Sequence, residues 1–171
     1  NTEQNTDKTP PIENTKFYNS ITGLEIAESD LNKIPLGFVT HSSMPLYGIS
    51  GSDLTIEFPT ENGTTRLLTY TSNDAILWKV GSLAPTRSFI NCMSNFFGGT
   101  IVAFGKDDII QYSAIDNAMS ALDISAEGDC YYVENSHFIY TSKEMVSELI
   151  KRNNLLASPG YKSAPFEFVS E

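Results

Sequence analysis

Between Leu54 and Tyr70 the sequence reads LTIEFPTENGTTRLLTY, two runs of alternating residues on either side of an Asn-Gly pair. In the first run Leu54, Ile56 and Phe58 point to one side and Asp53, Thr55 and Glu57 to the other, the period-two pattern of a strand with one buried face. Asn62-Gly63 offers the positive φ angles of a two-residue type I′ turn. A hairpin with one apolar face must cover it with a second layer, so these residues direct the chain toward a packed sheet. A turn centred on Asn62-Gly63 sets Arg66 opposite Pro59 and diagonal to Glu57 and Glu61. Diagonal neighbours stand ~7 to 8 Å apart, within reach of an arginine. Pro59 cannot donate to a ladder and marks an edge strand or a bulge. A slip of one residue would carry Arg66 to the other face.

Strand and helix periods interleave along the rest of the chain. PLGFVTHS, ending near His41, and AILWKV read as strands, and the uniformly apolar TIVAFG reads as a short strand buried on both faces. In APTRSFINCMSNFF, Phe89, Ile90, Met93, Phe96 and Phe97 fall on one helical stripe, with Pro85 near the first turn and Gly98-Gly99 as the stop. A short helix around NAMSAL, capped by Asp116, is expected. In YTSKEMVSELIKRNN, Thr141 and Glu144 have capping-box spacing, Tyr140 and Met145 that of a hydrophobic staple, and Met145, Val146, Leu149 and Ile150 make the core stripe. Lys151 and Arg152 suit the helix's negative end. The fold class is therefore α/β or α+β, a single domain with a central mixed β-sheet flanked by helices. Residues 1–16, with Ile12 as the sole aliphatic side chain and Pro10-Pro11, read as a flexible polar tether; residues 17–171 read as the globular domain.

The formal charge of −10 and pI near 4.6 oppose capture of nucleic acid or an anionic membrane surface, so an anionic ligand needs a local cationic pocket. No apolar run approaches the ~18 residues of a membrane span. Cys92 and Cys130 are compatible with one disulfide or with two buried thiols, and their spacing is not that of a zinc site.

Several residues could carry chemistry. Asp53, Glu57 and Glu61 could supply a carboxylate pair for glycosidic acid/base chemistry, or merely decorate an exposed strand. Arg66 could grip a carboxylate or phosphate with its planar fork, or form a surface ion pair. Arg87 sits at a predicted helix start, where a cation opposes the dipole unless it helps build an anion site. His137 could be a general base or fix a loop. Cys92 lies among aromatics that would raise its pKa, which discounts a Cys-His enzyme, and Asp107-Asp108 lack the further oxygens of a cation cage. Calcium-loop, phosphate-loop, dinucleotide and zinc-protease motifs are absent. No metal and no cofactor is implied, and no catalytic residue is assigned.

The order of motifs resembles the N-terminal domain of the YerB-like family of bacterial lipoproteins, a domain of unknown function. SITGL is similar to the family's PLTGL, and MPLYGISGSDLTIEFPTENGTTRLLTYT to RPQSGLSxADIVYExxxEGGITRxxAxF, with Pro45, Gly48, Asp53, Glu57, Glu61, Gly63, Thr65 and Arg66 on matching positions. KVGSLAPTRSFI resembles IGPVRSAR, retaining Arg87 and Ser88, and HFIYTS resembles HNLYTS, retaining His137, Tyr140, Thr141 and Ser142. The likeness runs from about Ser20 to Phe168. It departs where Ile90 replaces the second arginine of RSAR, Met44 the arginine of RPQSG and Phe138 the asparagine of HNLYTS, and where VAFGKD replaces a histidine-bearing VHxGGS loop.

The resemblance implies a secreted cell-surface domain on the outer face of a Gram-positive membrane, anchored through a lipidated cysteine preceding residue 1; the chain would be a short relative or an excised domain. It brings neither cofactor nor mechanism. The expected function is a non-enzymatic module for an envelope ligand or protein partner. In it the Glu57/Glu61/Arg66 hairpin flanked by Asp53, the Arg87-Ser88 helix start and the His137 to Tyr140 segment converge on one polar groove. The alternative is an envelope-glycan hydrolase using Glu57 or Asp53 with His137.

Overall fold

The computed structural model describes residues 16–19, 21–31, 35–71, 79–97, 100–105, 121–124, 131–132 and 138–153. In chain order these hold β1 (Phe17–Tyr18), β2 (Glu25–Ile26), β3 (Leu36–His41), β4 (Leu54–Pro59), β5 (Thr65–Thr71), β6 (Val80–Gly81), α1 (Ser88–Phe97), β7 (Thr100–Ala103), β8 (Ala121–Asp123), β9 (Tyr131–Tyr132), β10 (Ile139–Thr141) and α2 (Lys143–Arg152). The main sheet has the order β4-β5-β3-β7-β8, beside a three-stranded β6-β10-β9 sheet and a β1-β2 ribbon. β5 is antiparallel to both β4 and β3, whereas β3, β7 and β8 are mutually parallel. The sheet is thus mixed, and the domain is the expected α+β arrangement.

Alternation along β3 splits the core in two. Leu36 and Phe38 face Val80, Leu83, Ile139 and, from α2, Val146 and Leu149. On the other side Val39 joins Leu68, Tyr70 and Ile101 under Ile90 and Phe97 of α1. Because both faces of the central strands are covered, β3 and β7 read as nearly continuous apolar runs. Each large side chain buried there contributes roughly 1.5 to 3 kcal/mol.

The hairpin register differs from a two-residue turn. Phe58 pairs with Arg66 and Pro59 with Thr65, one residue away from the Pro59–Arg66 pairing expected. The connection is a 3₁₀ turn over Glu61–Gly63, with Gly63 at φ 70° and Thr60 N donating to Thr64 O at 2.8 Å. Thr60 Oγ1 also donates to Thr64 O (3.0 Å) and Thr64 Oγ1 to Glu61 O (3.1 Å). The threonines on both sides satisfy the backbone of a three-residue loop, which needs its glycine only at the last position. Arg66 consequently shares the apolar face of Ile56 and Phe58 and is 8% exposed.

Other expectations are corrected at element ends. Ser142, not Thr141, caps α2, its Oγ accepting from Met145 N at 3.4 Å. Thr141 is fully buried and paired with Val80, so its side chain is committed to the small sheet. Glu144 accordingly stands second in the helix and Met145 third, displacing the staple. In α1, Ile90 and Phe97 are buried, but Phe89 and Phe96 are 41% and 51% exposed. At 100° per residue the stripe that turns Ile90, Met93 and Phe97 inward leaves Phe89 and Phe96 on its flank. Ala121 and Leu122 belong to β8 rather than to a helix around NAMSAL. The polar tether up to residue 15, most of AILWKV, Asp107-Asp108, Asp116, Cys130 and His137 lie outside the described residues.

Candidate functional site: a basic corner at the sheet edge

β3, β4, β7 and β8 end on the same edge of the main sheet, where β5 begins. Loops at the carboxyl ends of such strands are where open sheets with helical cover generally hold ligands. α1 enters at this edge, on a segment bolted down by buried polar pairs. Thr86 Oγ1 donates to Asn91 Oδ1 (2.6 Å), Thr86 N to Gly105 O (3.3 Å) and Phe104 N to Ala84 O (3.1 Å). Arg87 is thereby held immediately before the first helical residue, Ser88, with Arg87 O accepting from Asn91 N at 3.0 Å.

Arg66 faces His41 directly across the β3–β5 pair, and Arg66 Nη1 lies 3.2 Å from His41 Nδ1. A guanidinium has no acceptor atom and keeps its proton, so it donates and Nδ1 accepts, placing the imidazole proton on Nε2. Burial pushes the His41 pKa down, and the charges of Arg66 and Arg87 push it further down. Arg87 in turn clasps the loop tip. Its Nε donates to both oxygens of Glu61 (3.2 and 3.0 Å), its Nη2 lies 2.9 Å from Oε2, and its Nη1 donates to Thr86 O (3.2 Å). The Glu61 carboxyl is held below its ordinary pKa by its own backbone N–H, then by Arg87 and more weakly by Arg66. The Phe58 and Phe89 rings, 5.7 Å apart, pack beside this corner.

The corner therefore gathers Glu61, Arg66, Arg87 and Ser88, and adds His41. Asp53 lies at the opposite end of β4, a strand length or roughly 17 Å away, where its N–H donates to Tyr70 O at 2.9 Å. Glu57 pairs with Leu67 and points to the face opposite Arg66, so the expected Glu57–Arg66 contact does not form and the carboxylate in this set is Glu61. Tyr140 belongs to the small sheet, against Phe138 and Lys79. His41 was legible in the sequence only as the last residue of a strand; the β3–β5 pairing that gives it a role is a long-range fact.

The arrangement, an α+β domain with a mixed sheet and a basic corner beside a helix start, has a YerB-like fold. It is similar to the crystal structure of the YerB protein from Bacillus subtilis, with a TM-score of 0.76 and 20% sequence identity over 91% of this chain and 55% of that one. The chain thus spans about half the length of that protein. No protein-family model matches the chain, and no curated protein matches it.

Proposed function

We propose that the domain is a non-enzymatic binding module whose basic corner receives a carboxylate or phosphate group of an envelope ligand or protein partner. The observation that carries this reading is the gathering of Arg66, Arg87 and His41 at one corner, where Arg87 holds the loop carboxylate of Glu61, in a chain of charge −10. Glu61 is a half-exposed loop residue held by an arginine fork. An incoming anion could replace it with little change in the two-pronged geometry. The guanidiniums, being planar and weakly hydrated, suit such a group better than lysines would.

The surface location belongs to the same proposal: the polar N-terminal stretch and the order of YerB-like motifs fit a lipid-anchored domain on the outer face of the cytoplasmic membrane. Fractionation and fatty-acid labelling of the full-length protein test it, and recovery only in the cytosol counts against it. The hydrolase alternative draws no support from Asp53 and Glu57, which are exposed and lie on a different edge and a different face from the corner.

Calorimetric titration with phosphate-bearing and carboxylate-bearing glycans tests the binding reading. Saturable binding that is lost in Arg87→Ala and weakens with salt supports it; equal binding by the wild type and Arg87→Ala overturns it.

A further inference from the structure

A second site lies on the small sheet. Gly81 of β6 is bridged to Tyr47 on one side and paired with Tyr140 of β10 on the other. Residues opposite one another in antiparallel strands share a face, and so do residues two apart along a strand. Lys79, two before Gly81, and Phe138, two before Tyr140, are thereby brought to the same face as Tyr47 and Tyr140. The floor of this row is bare because Gly81 has no side chain; a Cβ there would come within 2.9 Å of Tyr140 Cβ and 2.6 Å of Ile139 O. Gly48, at φ +79°, lets the Tyr47 segment close in, since a Cβ at that position would lie 2.6 Å from Lys79 O.

Among the described residues, three rings lie around the Lys79 ammonium beside Gly81. The Lys79 ammonium lies 4.0 Å from the Tyr140 centroid, 4.1 Å from Tyr47 and 5.3 Å from Phe138. Such distances place a cation on the negative faces of aromatic rings. The ring planes are inclined, Tyr47 to Phe138 by 67° and Phe138 to Tyr140 by 37°. A flat sugar face stacks on one ring plane, whereas rings inclined around a common point present several faces to one compact cation. Phe138 is buried, Tyr140 half-buried and Tyr47 43% exposed, so the box opens to solvent on the Tyr47 side.

We propose that Tyr47, Phe138 and Tyr140 form a binding site for a quaternary ammonium group, and that Lys79 is its tethered occupant. The lysine ammonium stands in for the ligand's cationic head. A quaternary ammonium has no N–H to satisfy and sheds water more readily than a lysine, so rings alone suffice to hold it. Lys79 is on a flexible stem and can swing into solvent when displaced. An occupant that fills the box about nine-tenths of the time lowers the apparent affinity ~10-fold.

The test titrates the folded chain with tetramethylammonium and choline, with sodium chloride as the ionic-strength control, and follows the Lys79 ε-methylene resonance by NMR. Ring currents shift that resonance upfield in the free protein, and ligand entry returns it toward the position of a solvated lysine. Lys79→Ala binds tetramethylammonium ~10-fold more tightly than the wild type, and Tyr47→Ala loses binding. Cosedimentation with phosphatidylcholine vesicles assigns the head group to a lipid; displacement by free choline without cosedimentation assigns it to a soluble or polymer-borne choline. A Lys79 resonance that responds to tetramethylammonium no more than to sodium chloride overturns the proposal, even if Lys79→Ala fails to fold. So does N-acetylglucosamine shifting the ring signals while tetramethylammonium leaves them unchanged.

Discussion

Arg66 and His41 face each other across adjacent antiparallel strands, and the guanidinium donates to His41 Nδ1 at 3.2 Å. Burial disfavours the charged imidazole, and the cation opposite adds to this, because the protonated ring would lose its acceptor atom and meet like charge. Burial and the two arginine charges together give the corner a pH dependence.

The His41 pKa is lowered in the fold from its ordinary 6.5. Well above pH 6.5 the ring is neutral folded and unfolded. As pH falls below it, the unfolded chain takes up the proton first, so stability declines toward the lower folded pKa. Thermal melts between neutral pH and pH 5 should show this decline, and His41→Gln should flatten it. An anion bound at the corner offsets the arginine charges and raises the His41 pKa, so anion affinity should increase as pH falls through the same window.

Glu61→Gln should leave the melting temperature nearly unchanged, because the Glu61 carboxylate is at the surface, where ion pairs contribute little. The same change removes the internal competitor for Arg87, so anion affinity measured by titration should rise several-fold. A fall in affinity would mean that Glu61 positions Arg87 rather than competing for it.

Arg66→Met should destabilise the domain by about 2 kcal/mol, since a hydrogen bond from a buried charged group is lost and His41 Nδ1 loses its donor. Arg66→Lys should recover part of the stability and less of the binding, because a single ammonium cannot reproduce a planar fork. Denaturant melts and anion titrations on the two variants separate these effects.

Gly37→Ala should cost about 1 to 3 kcal/mol. A Cβ there meets Leu68 Cδ1 and Tyr70 Cε1 at 3.0 Å, inside the layer between β3 and α1. Tyr70→Phe should be neutral or slightly stabilising, because the buried Tyr70 hydroxyl has no hydrogen-bond partner among the described residues. Equilibrium unfolding of both variants checks the pair.

Much of this architecture was legible in local pattern. Strand β4 shows in the alternation of Leu54, Ile56 and Phe58, β7 in an unbroken apolar run, and α2 in the Val146 and Leu149 spacing with basic residues at its end. What local pattern could not settle was which of two turn geometries Asn62-Gly63 would serve. The choice depended on the hydroxyls of Thr60 and Thr64, and one residue of register decided the face of Arg66. The site was legible by half for the same reason. Glu61, Arg66, Arg87 and Ser88 were recognisable as polar residues outside the core stripes, but their grouping with His41, and the separation of Asp53, Glu57 and Tyr140 from them, follow from strand order. Strand order is a property of distant contacts.

The most direct measurement is an NMR titration with inorganic phosphate, following the Arg66 and Arg87 side-chain Nε signals and the His41 ring in wild type and Glu61→Gln. If the corner is an anion site, all three groups shift along one saturable curve beyond the effect of equal ionic strength in sodium chloride, with a lower midpoint in Glu61→Gln. If they move only as sodium chloride moves them, or respond independently of one another, the corner is a fold support and the binding function lies elsewhere on the domain.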